Sequence, residues 1–265
     1  MKFESKNMNY IFNVEYFKDI ENLLEEQKRI KQEDTEDTTV IDEIRQRNKE
    51  IEKFVFPGNI LLDANLNNAV DGWHYQSFTL KTEYPGLLIG AGYPHDAKLD
   101  EAIKCGFTFD YVTGIPYIPG SSLKGMLRSF FPGNQKEVSE EYALYIRELL
   151  KKDGFDVLGL KDNIFEGNDV FLGAFPDLRD KPRSIMKMDY ITPHKELEFN
   201  EPNPISMIKI KPDVPIIFNF LLTDYTKDDE ETIIISAAEK KELFKNIVID
   251  MGIGAKTNVG FGRLK

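Results

Sequence analysis

Ser121, Ser122, Lys124 and Arg128 fall close together in "PGSSLKGMLR", and hydroxyls beside cations one helical turn apart are suited to holding phosphate. Pro119 and Gly120 make a turn, after which either serine can cap a helix by accepting a backbone N–H bond. Leu123, Met126, Leu127 and Phe130 recur at i, i+3, i+4 and i+7, a stripe that must face a core. Lys124 and Arg128 then share one polar flank. The unpaired N–H groups of a helical first turn, with the positive end of its dipole, favour an anion. An ordinary capped amphipathic helix with two solvated cations has the same pattern, and spacing alone does not separate the two.

The chain ends in "GIGAKTNVGFGRLK", where Gly252, Gly254, Gly260 and Gly262 bracket Ile253 and Phe261 in a G-h-G-x5-G-h-G pattern. A Walker nucleotide loop needs glycine directly before lysine and a helix afterwards. Here Ala255 precedes Lys256, and too little chain follows for that helix. No βαβ unit follows either, which excludes a dinucleotide fingerprint. What remains is a loop whose amides line a concave anion site, with charge from Lys256 and Arg263, or a turn that tightens a helix-to-strand connection.

Other chemistry is sparse. His74, His95 and His194 are candidates for general acid or base, but none stands in a catalytic pairing. The histidines and Cys105 lack the ligand-pair spacing of a zinc site. Asp228 and Asp229 belong to an acidic loop and read as solvent-exposed. No metal, no cofactor and no catalysis are therefore expected.

The chain has 265 residues, 41% of them hydrophobic and 30% charged, enough for a core in a soluble protein. No apolar run approaches the ~20 residues that cross a bilayer, and "MKFESKNMNY" lacks a secretory leader. With one cysteine, a disulfide framework is excluded and a reducing cytoplasm is the expected location, without a membrane partner. A net charge of −11 argues against nucleic acid, yet its distribution argues for it. Residues 15–52 hold thirteen acids against seven bases, and 224–231 five against one. Residues 179–195 hold five bases against two acids, and 251–265 three bases and no acid.

Helical spacing of Val14, Phe17, Ile20 and Leu24, then of Val40, Ile44 and Ile51, predicts an acidic helical hairpin ended by "VFPGN". Helices are also expected after Pro119, over about 137–152, and from Ser236, where Glu239 completes a capping box. The last has an apolar face of Leu243, Phe244, Ile247, Val248 and Met251. Strand-like runs cover 76–92, 169–175, 183–192, 205–211 and 214–222, with a terminal strand in "VGFGRLK". Without insertions the order is strand, helix, strand, strand, helix, strand. That predicts an α+β fold with a ferredoxin-like (RNA-recognition-motif-like) antiparallel sheet and helices on one face. The expected domains are an acidic helical extension, 1–56, and a main domain, 57–265.

"GIPYIPGSSLKGMLR" and "GIGAKTNVGFGRL" together resemble the RAMP superfamily of CRISPR-associated RNA-binding proteins. With "LLIGAGYPHD", "VFLGAFPD", "DYITPHKE" and "NPISMIKIKP", residues 80–265 look like the sixth-subunit family of the type III-B Cmr effector complex. The resemblance implies a non-catalytic subunit that caps the 3′ end of a CRISPR guide RNA, with target RNA and other Cmr RAMP subunits as partners. By motif it implies RNA-backbone contacts from Ser121, Ser122, Lys124, Arg128, Gly252, Gly254, Lys256, Thr257, Asn258 and Arg263, the glycines letting RNA approach the protein backbone. Residues 177–204 would be a hairpin reaching toward a guide–target duplex, with Arg179, Lys181, Arg183, Lys187 and Lys195 for charge and Ile185 or Met186 as a wedge. Some RAMP proteins are histidine-dependent RNases, so a processing endoribonuclease is the alternative, with His194 the foremost candidate. A protein–protein scaffold is the third reading.

Overall fold

The computed structural model describes residues 3–35, 37–58, 72–90, 92, 98–133, 136–167, 169–191, 204–226 and 232–265. A short helix not anticipated from sequence opens it: α1 (Met8–Asn13), capped by the Asn7 side chain, which accepts from the Tyr10 N–H at 3.1 Å. The acidic hairpin follows as α2 (Ile20–Glu33) and α3 (Thr39–Lys53). It is pinned to the rest by Gln27, which donates to the Lys98 carbonyl at 3.1 Å and accepts from the Asp100 N–H at 2.8 Å. Val40 and Ile44 pack with Leu99 and Ala102, while Met8, Ile11, Phe12, Tyr16 and Ile51 join the main core.

The central elements are β1 (His74–Lys81), α4 (Gly120–Arg128), α5 (Lys136–Leu150), α6 (Val157–Phe165) and β2 (Val170–Pro176). After them come β3 (Met186–Ile191), β4 (Ile205–Ile210), β5 (Pro215–Leu222), β6 (Tyr225–Thr226), β7 (Ile233–Ile235) and α7 (Ala237–Met251). The principal sheet has the order β1-β5-β2, antiparallel throughout, with a bulge between Phe171 and Gly173. The chain's last residues extend it beyond β1: Lys81 and Lys265 exchange backbone hydrogen bonds of 2.7 and 2.9 Å, and Thr82 bridges Leu264. Within the runs read as strands, Met186–Ile191 and Ile205–Ile210 pair as the separate β3–β4 sheet, joined to the main body through Leu87 and Ile210.

Two-residue alternation decides which side of the sheet is covered. In β5, Ile216, Phe218, Phe220 and Leu222 are all buried, and their register partners Leu80 and Phe78 are buried with them. Phe171 and Phe220 meet Phe244 of α7 at ring-centroid distances of 5.6 and 5.4 Å. Phe165 of α6 stacks on Phe171 at 6.0 Å. Helices therefore close this face with an aromatic layer. The predicted capping box of α7 is present, with Ser236 accepting from the Glu239 N–H and the Glu239 carboxylate accepting from the Ser236 N–H at 2.9 Å. Leu243, Phe244, Ile247 and Val248 are buried, but Met251 is exposed because the helix ends there and the chain turns away at Gly252. The helix α6 was not anticipated, although Val157, Leu160, Ile164 and Phe165 are buried at helical spacing behind an Asp156 N-cap; it has only nine residues and carries Gly159 in its first turn.

One buried ion pair ties α7 to the strands. Lys240 donates to Asp169 at 2.7 Å and to Asn163 Oδ1 at 2.5 Å, and both members of the pair are wholly out of solvent. The Thr223 N–H and hydroxyl bind the same carboxylate at 2.7 and 2.9 Å. Burial drives the Asp169 carboxyl up and the Lys240 ammonium down, against their mutual attraction. Removing one partner leaves the other charge uncompensated. Lys240→Met is expected to cost about 3–5 kcal/mol in urea unfolding, and Lys240→Met/Asp169→Asn less than Lys240→Met alone.

Candidate nucleic-acid interface

The serine helix begins two to three residues earlier than expected. Pro119 is the N-cap of α4 and makes no side-chain cap bond, so neither Ser121 nor Ser122 caps it. Both lie exposed in the first turn, and the first i→i−4 bond runs from the Leu123 N–H to the Pro119 carbonyl at 3.0 Å. The physical reason lies in Gly120. A Cβ at that position would collide with the Phe171 carbonyl, and one at Gly173 would meet the Ile118 carbonyl at 2.6 Å. Backbone thus lies on backbone where α4 leaves the edge of β2, and the bulge there makes room. Leu123 and Leu127 are fully buried and Met126 and Phe130 pack partly against the same core, as the spacing predicted.

The two cations of α4 already have intramolecular partners. The Lys124 ammonium lies 5.8 Å from the centre of the Phe171 ring, on the helix-covered side of the sheet. Arg128 forms an ion pair with Glu166 at 2.6 Å, both side chains about half exposed. Glu166 was not foreseen, since nothing in its sequence neighbourhood links it to a residue so far upstream. An exposed pair of this kind contributes about 0–1 kcal/mol, so Arg128 exchanges its partner at little cost.

The glycine loop is packed against the chain itself. The Ile253 N–H donates to the Gly262 carbonyl at 2.9 Å, the Ala255 N–H to Leu88 at 2.9 Å, and the Gly262 N–H to Gly86 at 2.8 Å. Gly262 and Gly254 have φ values of +73° and +96°, and a Cβ at either would run into the carbonyl of Ile253 or Leu88. The close approach that these glycines permit is therefore, in the first place, to residues 86–88 and 253. Phe261 is buried with Leu88 and Met207, and half-buried Cys105 packs on that cluster. Burial raises the Cys105 thiol, and the charge of Lys256 pulls the other way. Lys256, Asn258 and Arg263 are exposed, and Thr257 is half-buried in a short 3-10 turn, Thr257–Val259.

The two groups of candidate residues do not form one trough. Across the order tail-β1-β5-β2, Arg263 belongs to one edge and α4 to the other, about 14 Å apart at the usual strand spacing. They also differ in face. Leu264 and Thr82 are buried on the helix side, so Arg263, Lys265 and Lys81 alternate to the opposite side from Lys124.

The β3–β4 sheet differs from the expected probe. Ile185 and Met186 are completely buried in the core and supply no wedge, because its base packs on α3 and the residues after it. Arg183 donates to the Asp213 carbonyl at 3.3 Å, Arg179 forks onto Asp177 at 2.8 and 2.6 Å, and Lys187 is exposed. Lys181 is exposed as well, while Lys195, His95 and His194 lie outside the described residues. The exposed His74 ring stands 3.7 Å from the Asp224 carboxylate.

Residues 79–265 match the family model of the RAMP superfamily. The chain belongs to that superfamily. It is 29% identical over 209 residues to "CRISPR system Cmr subunit Cmr6" of Pyrococcus furiosus, covering 57% of this chain and 58% of that protein. It is 31% identical over 162 residues to "CRISPR system CMR subunit Cmr6" of Saccharolobus solfataricus, covering 59% of this chain and 46% of that protein. The chain thus spans about half the length of the curated relatives it matches. A chain in the cryo-EM structure of the Type III-B Cmr-beta bound to cognate target RNA shares the fold, with TM-score 0.52, 19% identity and coverage of 97% of this chain and 94% of that one. Both glycine-bearing segments, 119–128 and 252–262, fall inside the RAMP match.

The glycine contacts predict stability effects in the absence of any ligand. Gly262→Ala is expected to destabilise the RNA-free protein by more than the ~1–3 kcal/mol of positive-φ strain alone, because its Cβ also meets the Ile253 carbonyl. Gly125→Ala, with nothing within 4 Å of the added methyl, is expected to stabilise by about 0.5–1 kcal/mol. Thermal unfolding of the two variants checks both.

Proposed function

We propose that this chain is a non-catalytic, guide-RNA-binding subunit of a type III-B Cmr effector complex, positioned at the 3′ end of the guide and contributing to target RNA binding. The observation that carries the reading is the likeness to two curated proteins named Cmr6, within a RAMP match that contains both candidate segments. The sheet order tail-β1-β5-β2 with α4 and α7 on one side supports the ferredoxin-like topology that the strand and helix order predicts.

In this reading Ser121, Ser122, Lys124 and Arg128 act on one stretch of RNA backbone. Gly252, Gly254, Lys256, Thr257, Asn258 and Arg263 act on another. Contacts to phosphate and sugar position RNA without selecting its sequence, which suits a subunit that must hold many different guides. The ion pair of Arg128 with Glu166 opens when a phosphate takes the guanidinium. Because the two groups lie at opposite edges and on opposite faces of the sheet, one guide reaches both only by passing around an edge.

Lys124→Glu/Arg128→Glu is expected to weaken guide RNA binding about tenfold for all sequences alike and to lower the slope of log K against log salt by about two. Filter binding over a salt series measures both. Unchanged affinity and slope in a folded double variant would remove these residues from the site. The non-catalytic assignment is tested by incubating the protein with guide and target RNA without divalent metal. Cleavage that disappears in His194→Ala or His74→Ala would favour the endoribonuclease reading instead.

A further inference from the structure

The principal sheet has two faces, and among the described residues helices close only one. On the other, register aligns Tyr75 with Leu221 and places Thr79, Ile217 and Phe175 in one row. Tyr117, beside β2 through the Ile118–Ala174 bridge, stacks on Phe175 with ring centroids 5.2 Å apart and planes 17° apart. Tyr75 crosses the same face, its hydroxyl donating to Asn219 Oδ1 at 2.6 Å. These rings are half-buried and Thr79 between them is exposed. The aromatic side chains are thus held in place by neighbours while ring surface remains open.

Charge at the margin of this face is opposite to that of the whole chain. The mutual backbone bonds of Lys81 and Lys265 set both side chains on this side, and the next pair outward is Glu83 with Arg263. Lys265 lies 3.7 Å from Glu83, which confirms the shared face. Arg179 is forked onto Asp177, whose N–H donates to the Pro215 carbonyl at the end of β5. Lys81, Lys265, Arg263 and Arg179 therefore stand against Glu83, Asp177 and Asp180, four cations to three carboxylates in a protein whose net charge is −11.

We propose that this open face is a platform for single-stranded RNA. Bases stack on the Tyr117–Phe175 pair and on Tyr75, and the sugar–phosphate backbone follows Lys81, Lys265 and Arg263. Stacked aromatics with cations along one margin are what sequence-tolerant single-strand binding requires. Tyrosine, phenylalanine and arginine also occur at protein–protein interfaces, but Lys81 and Lys265, of a type depleted there, favour a polyanion. The inference rests on the RNA-binding reading above but uses residues outside the serine helix and the glycine turn, Arg263 excepted.

The test is fluorescence anisotropy of the full chain with a labelled oligouridine and with an abasic oligomer of the same length. The native protein is expected to bind the abasic oligomer about tenfold more weakly or worse, the loss of stacking on at least one base. Tyr117→Leu is expected to shrink that ratio toward one. Thr79→Glu, an exposed substitution that leaves the core untouched, is expected to weaken oligouridine binding about fivefold or more through repulsion of phosphate. Native-like binding by Thr79→Glu overturns the proposal, as does an unchanged abasic ratio in folded Tyr117→Leu. If only Lys124→Glu/Arg128→Glu weakens binding, this inference fails and the RNA-binding reading stands; if no variant does, both fail. In the assembled complex, a photoreactive residue at position 79 that crosslinks to RNA supports the platform, and one that crosslinks only to a neighbouring protein chain overturns it.

Discussion

Close backbone-on-backbone approach at both edges of one sheet is the constraint on which the molecule depends. At the β2 edge, Gly120 and Gly173 let the chain before α4 lie against the Phe171 and Ile118 carbonyls. At the β1 edge, Gly254 and Gly262 let the end of the chain lie against Leu88 and Ile253. Any side chain at these positions would push the flanking segment outward, because the space is already filled by carbonyl oxygens. The tail would then lose its pairing with residues 81–83, and α4 would lose its seat on Phe171. The same contacts that complete the fold also fix where the exposed cations of each segment stand.

This construction sorts charge by location. Acidic residues are concentrated on α2 and α3, whose Gln27 and Ile51 anchor them to the body. Cations gather where glycine-rich segments end, at Lys256, Arg263 and Lys265, and on α4. A global charge of −11 therefore says little about the local potential over either sheet edge, which is set by the nearest charges within a Debye length of about 8 Å.

Much of this was legible from sequence because it depends on local rules. The capping box at Ser236 and Glu239, the Leu123–Leu127 stripe and the hairpin of α2 and α3 follow from spacing alone, and all are present. Strand runs near β1, β2, β4 and β5 were visible as apolar segments. What failed was non-local. Pro119 rather than a serine begins α4 because Gly120 must meet a carbonyl of β2, about fifty residues downstream. Ile185 and Met186 read as surface apolar residues until the core that buries them is assembled. The separation of Lys124 from Arg263 depends on strand order and on which face each side chain takes, and neither is written in the motifs.

The contact between Arg128 and Glu166 also governs how occupancy of that arginine registers in solution. An arginine without an acidic neighbour sheds a loosely associated anion from the medium when a polyanion arrives. Here the group displaced from the arginine is tethered to the same molecule and cannot diffuse away, so the free ions liberated are the cations that the phosphate itself sheds. In the proposed RNA-bound state Glu166 would act as a built-in competitor of fixed local concentration, which a weak monovalent anion would displace less readily than a more highly charged ligand.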